Sequence, residues 1–528
     1  MRSLVGILLG LVLLLVSAGP LPAAALAKQT DAGLYRVVIG PRSGDIPIAE
    51  RHAWTIEIRD GDGAPIEPTQ LAFYGGMPGH GHGLPSAPRV TQRLEPGVYL
   101  VEGVVFNMYG EWELVVGVVG PAGPDKALFE LSLAPTVVDE EPDEKWSPRE
   151  VAMMRSLTLP EQRKAPEDPS NRLLGRPQAI SLGQALFFDP GLSLNGDLSC
   201  ASCHDPRLHF TDGKKKSFGS RELKRNSPTL LGSAHGDWFY WDGRRDSVWS
   251  QALSPIETPG EMDNNRTRVV RYVLTSEAYR DRFVELAGGA VPDLEQLPDS
   301  AGPYGSAEDK VRWNRLTESQ RRQVNGAFAT VGKIIASYVS TLEPERSRFD
   351  AYVASLADES ESDTLLSEQE ERGLRLFLSP EKTQCLRCHN GAYFTNFGFN
   401  NIGTGLPAEG QLPDFGRLVG LRAALVDEFN CLGPYSDADG EECEHHRFAA
   451  QNHADNGAFK VPTLRNVAET GPYMHDGRFD TLIEVLQFYR DPPTKEMSNH
   501  ELPPLDLSDS ELQDLAAFLR TLTSMETD

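Results

Sequence analysis

The sequence predicts a small all-β domain of the Ig-like sandwich type followed by a mainly α-helical, two-lobed pair of related domains. Three observations predict it. Residues from about Ala32 to Leu133 fall into short runs rich in Val, Ile, Tyr and Trp. Beyond Pro148, apolar residues recur at helical spacing between loops rich in Gly, Pro and Asn. Within that second part, two motifs recur in one gapless register of 234 residues. The composition agrees with a folded soluble chain: 528 residues, 40% hydrophobic and 24% charged, which excludes disordered, collagen-like and polytopic membrane classes. A net charge of −25 argues against nucleic acid as a partner, because binding there rests on neutralising phosphates. It favours a basic or neutral partner instead.

Taken in chain order, residues 1–27 read as a secretory signal, with Arg2, an apolar run from Leu4 to Val16, and Ala25-Leu26-Ala27 as the cleavage site before Lys28. The expected location is therefore the periplasm. An uncleaved anchor is the alternative, but the 13 apolar residues fall short of the ~20 that span a bilayer. Residues 28–135 form the expected sandwich, with strands at Tyr35–Ile39, Ala53–Ile58, Gly97–Val105 and Trp112–Val119, and a hairpin-type turn at Asp60-Gly61-Asp62-Gly63. An acidic, Pro-punctuated linker follows at 136–150. The two lobes are expected at 151–345 and 346–528. Helical spacing runs from Leu316 to Leu356, and Ser508-Asp509-Ser510-Glu511 is a capping box opening a final amphipathic helix.

The repeat pairs Pro228-Thr229-Leu230 with Pro462-Thr463-Leu464, and Trp241-Asp242-Gly243-Arg244 with His475-Asp476-Gly477-Arg478. Upstream, Cys200-Ala201-Ser202-Cys203-His204 recurs as Cys385-Leu386-Arg387-Cys388-His389 at the smaller offset of 185, so the second half carries 49 extra residues. Cys431 and Cys443 lie in that insertion.

C-x-x-C-H is the attachment signature of c-type haem. Two thiols one turn apart form thioethers to the two vinyl groups, and the adjoining His reaches the iron from the same side. Two such motifs in one exported, duplicated chain predict two covalently bound haem c groups, on Cys200 and Cys203 with His204, and on Cys385 and Cys388 with His389. No second C-x-x-C pair completes either as a zinc site. Cys431 and Cys443 lack a neighbouring His in C-x-x-C-H spacing. A disulfide between them is expected in an oxidising compartment, with a pair of free thiols as the alternative.

From about residue 150 onward the chain resembles the di-haem bacterial cytochrome c peroxidases and their MauG-type relatives. The resemblance rests on Leu186-Phe187-Phe188-Asp189-Pro190, Asn226-Ser227-Pro228-Thr229-Leu230, Trp241-Asp242-Gly243-Arg244, Gln251-Ala252-Leu253-Ser254-Pro255-Ile256, Glu261-Met262, and Phe459 to Val467 leading to Pro472-Tyr473-Met474-His475-Asp476-Gly477. It implies two cytochrome-c-like lobes with a haem in each and calcium between them. On the matching positions, Glu261 is the acid/base residue on the open face of the first haem, Gln251 and Pro255 share its pocket, and Trp241 lies between the haems. Asn226 with the carbonyls of Thr470 and Pro472 is the implied set of hard oxygen donors for calcium.

Two departures from the ordinary peroxidases shape the expected mechanism. Their loop after the first haem motif supplies a His that blocks the resting iron. Here the loop from Asp205 to Arg225 has only His209, close to the motif, and Ser220 stands near the matching place. The first haem is therefore expected to be open at rest. Further on, Tyr489 stands where the peroxidases place Met and MauG-type enzymes place Tyr, and the repeat offset maps it onto Pro255, which cannot ligate. Phenolate favours high oxidation states of iron. Met474 or Met497 is the alternative ligand. The resulting expectation is an exported oxidoreductase that activates hydrogen peroxide through high-valent haem iron and oxidises aromatic residues of a partner protein. The alternatives are a peroxidase fed by a small cytochrome c or cupredoxin, and a non-catalytic di-haem electron carrier. Peroxidases of this family are often dimers.

The β domain, through Gly75 to His82 and Phe106 to Trp112, resembles the YtkA-like family of small exported sandwiches. Its Met77, His80, His82 and Met108 are soft or borderline donors that make a candidate copper site. A Gly/His-rich turn with two core methionines is the alternative.

Overall fold

The structure is a computed structural model that describes residues 25–44, 46–48, 50–77, 82–106, 109–133, 145–161, 163, 166–356, 365–406, 412–493, 500 and 502–525, with the His82 and Ala454 side chains excepted. The expected β domain is formed by nine strands: β1 (Leu26–Gln29), β2 (Arg36–Pro41), β3 (His52–Arg59), β4 (Gln70–Met77), β5 (His82–Gly83), β6 (Arg89–Glu95), β7 (Val98–Val104), β8 (Gly110–Gly120) and β9 (Gly123–Leu133). They make two antiparallel sheets, ordered β1-β2-β3-β7-β6 and β5-β4-β8-β9. Period-two alternation explains the sandwich: Trp54, Ile56 and Ile58 of β3 and Trp112, Leu114, Val116 and Val118 of β8 point into one shared core. Strand β6 escapes a pattern search because its side chains are nearly all exposed. Asp60 does organise a tight turn, its Oδ1 accepting from the Asp62 and Ala64 amides at 3.0 and 2.8 Å. The strands on either side do not pair as a hairpin, however: β3 pairs with β2 and β7, whereas β4 lies in the opposite sheet.

In the candidate copper set, Met77 is buried in the sandwich core and pairs in register with His82. His80, Met108 and the His82 side chain lie outside the described residues. Leu26 and Ala27 pair with Ile39 and Val38, so cleavage after Ala27 would shorten β1 to Lys28 and Gln29.

The second part is built from helices. The N-terminal lobe contains α2 (Pro177–Phe187), α3 (Val248–Glu257), α4 (Arg266–Thr275), α5 (Arg280–Leu286), α6 (Ala307–Arg315) and α7 (Glu318–Val339) around one core. The C-terminal lobe contains α8 (Arg348–Ser355), α9 (Glu368–Leu378), α12 (Leu482–Arg490) and α13 (Asp509–Arg520) around another. The helical spacing from Leu316 to Leu356 is carried by two helices, α7 and α8, in different lobes. Pro344 lies in the break between them, and a proline is disfavoured inside a helix by its missing N–H. The Ser508 capping box is formed as expected.

The boundary before the lobes is corrected. Helix α1 (Pro148–Ser156) opens inside the segment read as linker, capped by Ser147 with Glu150. Trp146, Met154 and Leu157 are buried in the core of the C-terminal lobe, and Trp146 Nε1 donates to the Tyr352 hydroxyl at 2.6 Å. The chain thus starts its helical part on the far lobe and only then builds the near one. Of those three side chains only Trp146 falls in the acidic segment read as linker, and one such residue there is too little to reveal this locally.

Glycines mark where the paired helices touch. A Cβ on Gly183 of α2 would sit 2.1 Å from the Ile334 carbonyl of α7, and one on Gly373 of α9 would sit 2.0 Å from the Asp514 carbonyl of α13. Each lobe therefore joins its last helix to an earlier one, α2 or α9, at a close backbone approach that no other residue permits.

The insertion acts as a clamp. It contains β10 (Phe399–Asn400), α10 (Arg417–Leu425) and α11 (Glu444–Arg447), and closes with β11 (Phe459–Lys460) beside β10. Cys431 and Cys443 are joined as a disulfide, the expected pairing. On one side Phe429 enters the core of the N-terminal lobe and Asp437 meets the buried Lys333 at 2.7 Å. On the other, Phe448 fills the space over Gly103 of β7, and its carbonyl accepts from the Ala87 amide at 2.7 Å. Arg51 of the β domain also pairs with Asp237 of the N-terminal lobe at 2.5 Å.

Candidate functional site

Each C-x-x-C-H segment forms a short 3₁₀ turn, Cys200–Ser202 and Cys385–Arg387, that puts the two thiols on one side with the His following. His204 Nδ1 lies 3.0 Å from the Phe210 carbonyl, and His389 Nδ1 lies 3.0 Å from the Phe394 carbonyl. These bonds fix Nδ1 as the protonated nitrogen and leave Nε2 as the ligating one, the second-shell arrangement that orients an imidazole toward a metal. Burial depresses both imidazoles, His389 to about 4, so each is neutral and able to ligate. None of the four cysteines is in a disulfide, and burial pushes Cys200 up to about 12 and Cys203 and Cys385 to about 11. A pair of thiols outside any disulfide, with a neutral, oriented imidazole, is the donor set that covalent haem c requires. Both sites fit the group.

The duplication reaches further than its motifs. Helices α3 and α12 begin 234 residues apart, after Ser247 and Thr481, whose side chains cap the amides of Ser250 and Glu484. Tyr240 and Met474 both adopt positive φ, as do Gly243 and Gly477. Thr229 Oγ1 donates to the His209 carbonyl at 2.6 Å, and Thr463 Oγ1 donates to the Tyr393 carbonyl at 2.6 Å. This common register puts Pro255 and Tyr489 at equivalent places on equivalent helices.

The two places differ in chemistry. Pro255 and Gln251 line a cavity of about 1700 Å³ together with Cys200, Cys203, His204, Glu261 and Trp241. Burial raises the Glu261 carboxyl above its ordinary value, and the nearby Arg244 and Arg245 guanidiniums oppose the rise. Tyr489 lies beside the other pair of thiols: burial, and then Cys388 and Cys385, push its phenol well up.

The loop expected to lack a blocking ligand runs along this cavity. The Ser220 amide donates to the Glu261 carbonyl at 2.9 Å, and the Arg221 amide donates to the Gly260 carbonyl at 3.3 Å. Gly219 permits that approach, since a Cβ there would meet the Gly260 carbonyl at 2.4 Å. His209 is turned away at the end of the turn Pro206–Leu208, in a left-handed conformation. The cavity wall includes Lys216, Arg221, Lys224 and Arg225, a locally basic region on an acidic chain.

Trp241 links the cavity to the other lobe. Its Nε1 donates to the Asn226 carbonyl and to Asn226 Oδ1, each at 3.1 Å. The Asn226 amide group donates to the Pro472 carbonyl at 2.8 Å, and its backbone N–H donates to the His475 carbonyl at 3.0 Å. Asn226, Thr470 and Pro472 line the same cavity. Asn226 and Pro472, two of the three expected calcium ligands, thus touch, joined here by a direct hydrogen bond. Behind Trp241, Asp242 pairs with Arg225 at 2.7 Å and with Arg244 at 3.0 Å, fixing the Trp-Asp-Gly-Arg turn.

Comparison with known proteins now decides the family. Residues 177–358 match the family model described as di-haem cytochrome c peroxidase, and residues 33–117 match the YtkA-like model. The methylamine utilization protein MauG of Methylorubrum extorquens is 32% identical over 350 residues, covering 66% of this chain and 78% of that protein. The chain belongs to the di-haem cytochrome c peroxidase family. It is accordingly a peroxidase-type oxidoreductase whose family carries two c-type haems. The cytochrome c551 peroxidase of Nitrosomonas europaea is similar at 29% identity over 66% of this chain and 80% of that one. Among solved structures, a MauG-like protein associated with microbial copper homeostasis is 26% identical with a TM-score of 0.48, covering 69% of this chain and 95% of that one.

Two features of the family site escaped the sequence reading. The caps Ser247 and Thr481 were visible as Ser and Thr before apolar runs at the repeat offset. The pairing of Ser220 with Glu261 had no local signal, because it joins segments 41 residues apart.

Proposed function

We propose that this chain is an exported di-haem enzyme of the MauG type, which takes two oxidising equivalents from hydrogen peroxide at the His204 site and delivers them to aromatic side chains of a partner protein. One observation carries the reading. On equivalent helices, the N-terminal site presents Pro255, which has no donor atom, whereas the C-terminal site presents the Tyr489 phenol beside Cys385 and Cys388. Such an asymmetry suits one open centre for peroxide and one closed centre for storage.

When bound at Cys200, Cys203 and His204, haem supplies the redox chemistry that cleaves the peroxide O–O bond. Glu261 moves the proton: its carboxylate accepts from the near peroxide oxygen and returns the proton to the far one, where water leaves. Arg244 and Arg245 oppose the rise that burial gives the Glu261 carboxyl, and so favour the ionised form that acts as base. Gln251 and Pro255 wall the cavity, and Ser220 offers no imidazole to close it. Trp241 provides an oxidisable indole between the lobes. His389 and the Tyr489 phenol would hold the iron of the C-terminal haem, and Asn226 Oδ1 with the Thr470 and Pro472 carbonyls would hold calcium where the lobes meet.

The test is to add peroxide to the fully ferric holoprotein without prior reduction. A long-lived oxidised spectrum that disappears when a protein substrate is added supports the proposal. Fast turnover with reduced cytochrome c and no such spectrum would assign the ordinary peroxidase reaction instead.

A further inference from the structure

Away from the cavity, three residues from separate segments form a closed hydrogen-bonded cluster. His235 Nε2 lies 2.6 Å from the Tyr393 hydroxyl and 2.7 Å from Glu343 Oε1. The Tyr393 hydroxyl also donates to Glu343 Oε2 at 2.8 Å. The His235 and Tyr393 rings stack, with centroids 4.5 Å apart. The side chains of His235 and Glu343 are each 19% exposed, so the cluster reaches the surface.

Its position ties it to both haem segments. Tyr393 is four residues beyond His389, and the carbonyl of its neighbour Phe394 fixes His389 Nδ1. The Tyr393 carbonyl is held by Thr463 of the repeated Pro-Thr-Leu. The ring lies against Gly232, where a Cβ would come within 2.6 Å of it, two residues beyond the first Pro-Thr-Leu. No part of the mechanism above uses this cluster.

We propose that Tyr393, with Glu343 as its proton acceptor and His235 holding that carboxylate, is a redox-active tyrosine through which oxidising equivalents leave the C-terminal lobe for the partner. The inference rests on the function proposed above, which supplies the oxidant. In the outward step Tyr393 gives one electron to the oxidised C-terminal centre, and its phenol proton passes along its hydrogen bond to Glu343 Oε2. His235 Nε2–H, facing Glu343 Oε1 at 2.7 Å, holds that carboxyl group in place. An electron from the partner then restores the phenol as the proton returns. Trp241 differs here, because its N–H meets only the neutral oxygens of Asn226, which cannot take a proton. Burial and the Glu343 carboxylate hold the Tyr393 phenol far above its ordinary value, so it keeps its proton until it is oxidised.

The experiment uses the holoprotein carrying ring-deuterated tyrosine and two oxidants, hydrogen peroxide and flash-generated tris(bipyridine)ruthenium(III), with freeze-quench electron paramagnetic resonance as readout. An organic radical narrowed by the label and lost in Tyr393→Phe is expected with both oxidants. Its formation should slow in D2O, and His235→Gln should lower its yield while the resting haem spectrum stays unchanged. An identical radical in wild type and Tyr393→Phe, or none in either under the ruthenium flash, overturns the proposal. Failure of the proposed function reads differently: peroxide then leaves the haem spectrum unchanged, while the ruthenium flash still reports on Tyr393.

Discussion

Replacing Glu261 by Gln removes the proton carrier while keeping the shape of the cavity wall. General acid–base catalysis by one placed side chain contributes about 10²–10⁴ in rate, or about 3–5.5 kcal/mol of barrier at 1.36 kcal/mol per decade. The second-order rate of the ferric protein with peroxide, followed by stopped-flow absorbance, should fall by that factor in Glu261→Gln. The pH dependence follows from burial. Because the Glu261 carboxyl titrates above its ordinary value of 4.5, the wild-type rate should decline with falling pH at a higher pH than an exposed carboxylate would give. Stability should move the other way. A carboxyl raised in the folded state favours folding fully only below its unfolded value, and that contribution is lost as pH rises through the folded value. At neutral pH the wild type therefore bears the cost of burying the charge, and Glu261→Gln should unfold at an equal or higher temperature. A loss of less than about tenfold in the peroxide rate, against the expected 10²–10⁴, would refute the assignment, as would a pH profile that Glu261→Gln leaves unchanged.

Three other outcomes are expected. Ser220→His puts an imidazole on the loop held against the Glu261 carbonyl; the resting N-terminal haem should become low-spin, and peroxide should react quickly only after reduction. Tyr489→Phe should retain both thioether-bound haems, seen by mass spectrometry, yet shorten the life of the peroxide-oxidised spectrum, because the phenol beside Cys385 and Cys388 is gone. Arg465 and Asp350 are each 1% exposed and paired, and Arg465 also donates to the Leu157 carbonyl at 2.7 Å and the Ala392 carbonyl at 3.0 Å. Arg465→Met leaves Asp350 buried without its cation and should cost about 3–5 kcal/mol in urea unfolding.

What could be read from the chain was whatever chemistry is local to it. The C-x-x-C-H segments, the 234-residue register and the sandwich alternation each depend on residues a few positions apart, and the structure meets them with fixed imidazoles, equally started helices and two facing sheets. The mapping of Tyr489 onto Pro255 was legible for the same reason, since duplicated segments cap and turn alike. The β6 strand was not, because its solvent-facing side chains carry no apolar period.

Tertiary structure alone decided the rest. Trp146 and Met154 join the distant lobe, and the extra 49 residues grip both the N-terminal lobe and the β domain through Asp437, Phe429 and Phe448. Ser220 meets Glu261, and His235, Glu343 and Tyr393 converge from positions 50 to 158 residues apart. Such contacts have no periodicity to announce them. They arise when apolar faces pack and carry attached loops into reach, so the sequence determines which donors and acceptors exist, whereas packing determines which of them meet.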